Sequence, residues 1–293
     1  TKTQIVLGVL CCVTLAGAAN AQLLGVTGSD LVRIDPNDPA YVTVIGPTNL
    51  PPEVAHVYEL TYHPIQRALL GIGFGSGSTT RAQFLLSFDL TTGQGTVLCE
   101  LGDSDTVGNL ELLEYVGLLS SLVISGETSI PSGGYTDKLL SLGTDCTTSF
   151  LVTNSLDNDY GVYDSKHGLF YTTDPNGPGQ LVHVDLSNGD TENIGAIPNT
   201  LGTLAYSNDH SVIFGVNWSN NNLHSIVTTN GGAPITMNSL GIISGSDITA
   251  LAYVPQTSEV EAPTVSTLGI FILMCGLLGI GFFAAKRRVK RPT

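Results

Sequence analysis

The feature that most constrains this chain is a short apolar segment ending in tyrosine, which recurs five times. It reads Glu59-Leu60-Thr61-Tyr62, Leu112-Leu113-Glu114-Tyr115, Tyr160-Gly161-Val162-Tyr163, Thr203-Leu204-Ala205-Tyr206 and Ala250-Leu251-Ala252-Tyr253. Successive tyrosines stand 53, 48, 43 and 47 residues apart. A unit of that length holds four antiparallel strands, and such a sheet buries both faces only by stacking on copies of itself.

Each interval repeats one grammar. A polar turn follows the tyrosine (His63-Pro64, Ser165-Lys166-His167-Gly168, Ser207-Asn208-Asp209-His210), then a second apolar strand such as Ala68–Ile72 or Ser211–Phe214. A third strand is clearest in Leu85–Asp89 and Leu181–Asp185, and the turns Thr91-Thr92-Gly93 and Ser187-Asn188-Gly189 deliver a fourth. Gly and Asn accept the positive φ that such tight turns need. Asp35, Asp89 and Asp185 are expected to cap the turn after their strand. The tyrosines are expected to be inner-strand packing residues.

The N-terminal region supplies Leu23–Val26, Leu31–Asp35 and Tyr41–Ile45, three strands of a unit lacking its first, while Ala250–Pro255 is a first strand lacking partners. Joined, they complete one sheet and remove the open edges that would invite aggregation. The expectation is an all-β chain: a β-propeller over 22–256 with five four-stranded blades closed by strands from both ends. Six blades are the alternative, and would need a unit that is not found.

Leu31-Val32-Arg33-Ile34-Asp35-Pro36, with its relatives ending at Asp89 and Asp185, resembles the repeats of secreted bacterial propeller proteins of the YVTN and quinoprotein-like kind. The resemblance spans most of 23–255, although Gly143 and Val227 stand where two of the aspartates would be. It implies an architecture and no particular activity.

The flanking segments read as addresses. Residues 1–21 carry Lys2, an apolar stretch from Ile5 to Ala16 and Ala19-Asn20-Ala21, the pattern of a signal peptide cut before Gln22. Cys11 and Cys12 lack the approach that a lipid-attachment cysteine requires. Leu268–Ala285 is a charge-free run of 18 residues, about 27 Å as a helix, followed by Lys286, Arg287, Arg288, Lys290 and Arg291. A single transmembrane helix at 268–285 with a cytoplasmic tail at 286–293 is expected, so that the preceding chain lies outside the cytoplasm. In the linker at 257–267 and just beyond it, Pro263, Thr264, Ser266 and Gly269 resemble the IPTL-type relatives of PEP-type sorting signals. Ala262, Val265 and Leu268 stand where Ile, Leu and Trp are usual. That resemblance implies a Gram-negative cell-envelope protein with signal peptidase and an exosortase-like enzyme as processing partners; otherwise the helix is a permanent membrane anchor.

Charge narrows the other partners. Between the two addresses only Arg33, Arg67, Arg81, Lys138 and Lys166 oppose all 25 carboxylates. The region is about −20, which excludes nucleic acid, whose binding depends on cations neutralising phosphates. Cys99 and Cys146 are the two cysteines outside the addresses, and in an oxidising compartment they can form one disulfide between neighbouring units.

No catalytic machinery is legible. There is no nucleophile elbow and no HExxH, and Gly71–Ser76 mimics a dinucleotide loop only superficially. His63, His167 and His210 fall in first-to-second-strand turns, an arrangement that suggests surface positions. No metal site is spelled out either; Asp35, Asn37 and Asp38 lack the glycine and distal glutamate of an EF-hand. The candidate ligand-binding residues are Asp103, Asp105, Asp157 and Asp159, in links from the fourth strand of one blade to the first of the next. Those links line one channel rim, where a divalent cation, the only cofactor in view, or a polar ligand could be held. The leading expectation is a non-enzymatic surface module binding a protein or polysaccharide. The rival is a hydrolase or lyase using channel carboxylates.

Overall fold

The computed structural model describes residues 21–75, 82–103, 110–130, 134–143, 145–153, 159–174, 179–198, 200–229, 232–245 and 247–255. The signal segment before Ala21, the linker, the sorting-like Pro263, Thr264, Ser266 and Gly269, the 268–285 span and the basic tail lie outside these residues. Among the described residues no helix is long and apolar enough to cross a membrane.

The described chain is all β. Blade one contains β1 (Gln22–Val26), β2 (Asp30–Asp35) and β3 (Asp38–Pro47). Blade two is β4 (Val54–His63), β5 (Ala68–Gly75), β6 (Ala82–Phe88) and β7 (Gly95–Asp103). Blade three is β8 (Leu113–Val116), β9 (Ser121–Ile130), β10 (Gly134–Leu142) and β11 (Thr148–Thr153). Blade four is β12 (Gly161–Asp164), β13 (Leu169–Asp174), β14 (Gln180–Val184) and β15 (Thr191–Ala196). Blade five is β16 (Leu201–Ser207), β17 (Val212–Asn217), β18 (Asn222–Thr229) and β19 (Gly232–Ile242). The last strand, β20 (Ala250–Val254), pairs antiparallel with β1, Leu23 opposite Tyr253, and gives blade one the order β20-β1-β2-β3. This is a five-bladed β-propeller, and the ring closes through strands from both ends of the domain.

Apolar side chains fill five separate wedges, one between each pair of neighbouring sheets. The two-residue period of a strand explains the division. On β1, Leu24 and Val26 pack with Leu60 and Leu86 of blade two, whereas Leu23 packs with Phe214 and Val216 of blade five. Each such leucine contributes about 2 kcal/mol by leaving water. A disulfide joins Cys99 of β7 to Cys146 in the β10–β11 turn, across the boundary of blades two and three.

The turn aspartates do local work. Asp89 Oδ1 accepts the amides of Thr91 and Thr92 at 2.8 Å, and Asp185 Oδ1 accepts the Ser187 amide at 2.8 Å and its hydroxyl at 2.6 Å. Gly93 and Gly189 follow at φ of 80° and 82°, each returning its amide to the aspartate carbonyl. Asp35 accepts the Asn37 amide at 2.9 Å, a turn in place of a calcium loop. Blade three, which has Gly143 at the aspartate position, uses Asp145 instead, accepting both the amide and the hydroxyl of Thr147.

One expectation fails here. His63 is not a surface residue: it ends β4, is buried, and its ring lies 4.4 Å from that of Tyr115. Burial also lowers its pKa from the usual imidazole value. His167 and His210 are exposed, as expected, with His167 Nδ1 2.6 Å from Asp164 Oδ2.

Candidate ligand site at the channel mouths

The inner strands β4, β8, β12, β16 and β20 surround the central channel. Their tyrosines, Tyr62, Tyr115, Tyr163, Tyr206 and Tyr253, all line one cavity of about 310 Å³ at the mouth where each inner strand turns into its second strand. All but Tyr62 are buried, in keeping with a packing role, and Tyr253 donates a 2.9 Å hydrogen bond to Asp209. Their shared place has a direct physical cause, since alternation puts the same motif position at the same height on every blade.

The opposite mouth is built differently. Trp218, in the β17–β18 turn of blade five, reaches across the channel. Its ring meets Tyr160 at 5.1 Å and Tyr58 at 6.3 Å, both edge-to-face, and Tyr58 in turn packs at 4.9 Å on Phe74. Tyr160 belongs to blade four and Tyr58 to blade two, so one indole bridges three blades. It remains 43% exposed, the most accessible aromatic surface at either mouth.

The turn that carries Trp218 is held on all sides. The Trp218 amide donates to the Thr200 carbonyl at 3.0 Å. Asn217 Oδ1 accepts the Ser219 amide at 3.0 Å and its hydroxyl at 2.7 Å. Asn221, at φ 53°, clamps the turn to the 243–249 segment: its Nδ2 donates to the Ile243 carbonyl and its Oδ1 accepts the Ile248 amide. Local amide-to-backbone bonding of this kind is why an asparagine-rich stretch becomes a rigid turn. Because Asn217 is buried and its oxygen is engaged twice, the formal sequon at Asn217-Trp218-Ser219 serves the turn.

A cleft of about 280 Å³ opens beside the indole, lined by His56, Tyr58, Asn221, Asp247 and Thr249. His56 and Asp247 are exposed there. On the far side of Trp218 a smaller cleft of about 60 Å³ is lined by Asp159 and Tyr160. Burial, and then the charges of Asp159, Glu59 and Glu111, push the Tyr160 phenol well above its usual pKa, so it stays a neutral hydroxyl.

Two inner strands carry carboxyl groups: Glu114 of β8, half-buried and lining the tyrosine cavity, and Glu59 of β4. Glu114 Oε2 accepts the Thr61 hydroxyl at 2.8 Å, and Oε1 accepts the Tyr163 amide at 3.3 Å. Burial raises its pKa to about 8, against the pull of those donors and of the Tyr115 amide. Glu59 is completely buried, and neither oxygen has a hydrogen-bond partner of ordinary geometry. Burial, reinforced by Glu114, raises its pKa well above 4.5, with the Leu60 amide pulling the other way.

Of the four rim carboxylates expected from sequence, Asp159 lies beside Trp218. Asp103 ends the outer strand β7, and Asp105 and Asp157 lie outside the described residues. Glu59, Glu114 and Trp218 were not singled out by sequence reasoning. A charged residue inside an otherwise apolar inner-strand motif is the signal that points to the two glutamates; nothing local marks Trp218.

These features define the class: an all-β, five-bladed propeller with an aromatic mouth over a carboxylate-bearing channel. No family model matches the chain, and no curated protein matches it. Among solved structures it is similar to a chain of a nidogen/laminin complex (10% identity, TM-score 0.52, 80% of this chain and 98% of that one). It is also similar to a structural genomics protein of unknown function from Bacteroides thetaiotaomicron (10% identity, TM-score 0.50, 82% of this chain and 66% of that one). A periplasmic gluconolactonase from Pseudomonas aeruginosa matches at 13% identity with TM-score 0.45, over 77% of this chain and 69% of that one. At such identities these likenesses speak to fold alone.

Proposed function

We propose that the chain is a non-enzymatic saccharide-binding module, displayed at the cell envelope, which takes its ligand at the Trp218 mouth. One observation carries the reading: a partly exposed indole is fixed between Tyr58 and Tyr160, with exposed Asp247 and His56 along the adjoining cleft. A flat aromatic surface covers the apolar C–H face of a pyranose, while flanking polar groups reach its hydroxyls. Because the turn is already rigid, little ordering entropy is lost on binding.

Charge narrows the ligand class. A field set by about twenty excess carboxylates repels uronic, sulfated or phosphorylated polymers and favours neutral or amino sugars. Display rests on the sequence of the two ends, and mass spectrometry of the mature envelope form tests whether 1–21 and the segment after Pro263 are removed.

The binding test uses the single tryptophan as its own reporter. Neutral and amino-sugar oligosaccharides should shift Trp218 emission, and uronic oligosaccharides should not. Calorimetry on Trp218→Ala should show at least a tenfold loss of affinity. Unchanged affinity in that variant, or no binding across both neutral and amino-sugar sets, would sink the proposal. The rival hydrolase or lyase reading leans on Asp159 beside Tyr160; it requires turnover of a glycan that Asp159→Asn abolishes.

A further inference from the structure

The smaller cleft beyond Trp218, of about 60 Å³, lies where blades four and five meet, and the saccharide reading does not use it. Part of its lining is apolar: Ile197 and Leu201, both buried, with Pro198 beside them. The rest is polar, with Asp159 and Tyr160 from the link into β12 and Thr173 from β13. Backbone hydrogen bonds hold these pieces together. The Thr173 amide donates to the Tyr160 carbonyl at 3.0 Å, and the Leu201 amide to the Pro198 carbonyl at 2.9 Å. Tyr160 meets the indole at 5.1 Å, so the cleft and the aromatic mouth form one framework.

Thr173 is the unusual member. It is only 3% exposed, yet its hydroxyl has no hydrogen-bond partner among the described residues. It stands opposite Leu181 of β14, which packs in the wedge between blades four and five. Directly paired residues share a face of the sheet, so the Thr173 side chain faces that same wedge, where the cleft opens. A buried hydroxyl left without a partner costs about 1–3 kcal/mol. Water would satisfy the hydroxyl but not the apolar lining beside it.

Resting on the saccharide reading, we propose that this cleft is the subsite for an acetamido group, so that the ligand is a glycan of N-acetylated hexosamines. Trp218 is the wall that the two clefts share, and a pyranose stacked on its ring carries a substituent past the ring edge. The acetamido group matches the lining. Its carbonyl accepts from the Thr173 hydroxyl, its N–H donates to the Asp159 carboxylate, and its methyl lies against Ile197 and Leu201. A hydroxyl at the same place would leave the apolar lining wet. A free ammonium would exchange part of its hydration for apolar contact. The size agrees as well, since a single water needs about 10–15 Å³ and the acetamido group is a few such volumes.

Calorimetry on the full chain with chitotetraose, its fully deacetylated form and cellotetraose tests the subsite. The three share one backbone and differ only in the substituent on the second carbon: acetamido, ammonium or hydroxyl. Chitotetraose should bind at least tenfold more tightly than either of the others. Thr173→Val, nearly the same shape, should bring chitotetraose to within about twofold of cellotetraose. Its Tm should stay level or rise, because an orphaned hydroxyl has been removed. A clear fall in Tm would instead mean that the hydroxyl serves the fold, which overturns the subsite. Equal affinity for chitotetraose and cellotetraose, or tighter binding of the deacetylated form, overturns it too and leaves the saccharide reading standing. If none of the three binds, the subsite falls, and the wider neutral and amino-sugar sets decide the saccharide reading by themselves.

Discussion

The Thr61 hydroxyl donates a 2.8 Å hydrogen bond to Glu114 Oε2, tying the inner strand of blade two to that of blade three from inside the channel. The same hydroxyl accepts the Tyr115 amide at 3.2 Å, and the other Glu114 oxygen accepts the Tyr163 amide of blade four. Three blades thus meet through one hydroxyl and one carboxyl group. Thr61→Val leaves the buried Tyr115 amide unpaired and removes a donor from the half-buried Glu114 carboxyl group, and should cost about 1–3 kcal/mol in urea unfolding. Thr61→Ser, which restores the hydroxyl, should recover most of it. Equal losses in both variants would mean that packing of the Thr61 methyl dominates.

The same group makes stability depend on pH. Burial raises the Glu114 pKa to about 8, so the folded chain holds that proton more tightly than the unfolded chain does. Its contribution is complete below the ordinary carboxylate value of 4.5 and is lost as pH rises through 8. Glu59, also raised, acts with the same sign. Asp89, Asp145 and Asp185 are lowered by the turn hydrogen bonds they accept, and their contributions disappear only on acidification below 3.8. With EDTA present to exclude metal, unfolding free energy should therefore fall between pH 4.5 and 8. Glu114→Gln should flatten that slope; an unchanged slope would assign it to other groups.

Blades two and three have a covalent tie as well. The Cys99–Cys146 disulfide closes a loop with a sequence separation of 47. In the chain-entropy account such a crosslink stabilises by about 3–4 kcal/mol. Reduction, or the paired Cys99→Ser and Cys146→Ser substitution, should lower Tm clearly while circular dichroism keeps the sheet spectrum.

Much of the fold was legible because a strand repeats every two residues and a blade repeats its tyrosine. Leu23 and Leu24, adjacent in sequence, serve different wedges for that reason. The turn aspartates were legible too, since their hydrogen bonds are local. The mouth was not. Trp218 meets Tyr58 only because the ring closes, and no local pattern tells which turn leans across a channel. His63 was misplaced because a residue next to a turn reads as exposed, yet its ring has Tyr115 of the next blade to cover it. The place of Asp159 beside a channel mouth was legible because it lies in a link whose position follows from topology.

Ring closure itself can be tested. β20 contributes the buried Leu251, Tyr253 and Ala252 to the wedges on both sides of blade one and pairs with β1 along its whole length. A chain ending at Thr249 would expose the β1 edge and open both wedges. It should lose the cooperative unfolding transition and aggregate on warming. A cooperative melt within a few degrees of the intact chain would show that closure contributes little.

The position of Trp218 can be moved without touching any group that would meet a ligand. Gly202, on β16, lies directly under the indole, and a Cβ there would collide with ring atoms that cannot rotate away. Gly202→Ala should therefore lift the indole off Tyr160 and expose it further, with a red shift in emission. The cost in stability should stay near 1–3 kcal/mol, the usual range for overpacking. If the fixed indole is what holds a sugar, affinity should fall nearly as far in this variant as in Trp218→Ala, with Asp247 and His56 unaltered. Retained affinity together with a shifted spectrum would separate the aromatic ring from recognition and leave the polar side of the cleft to account for it.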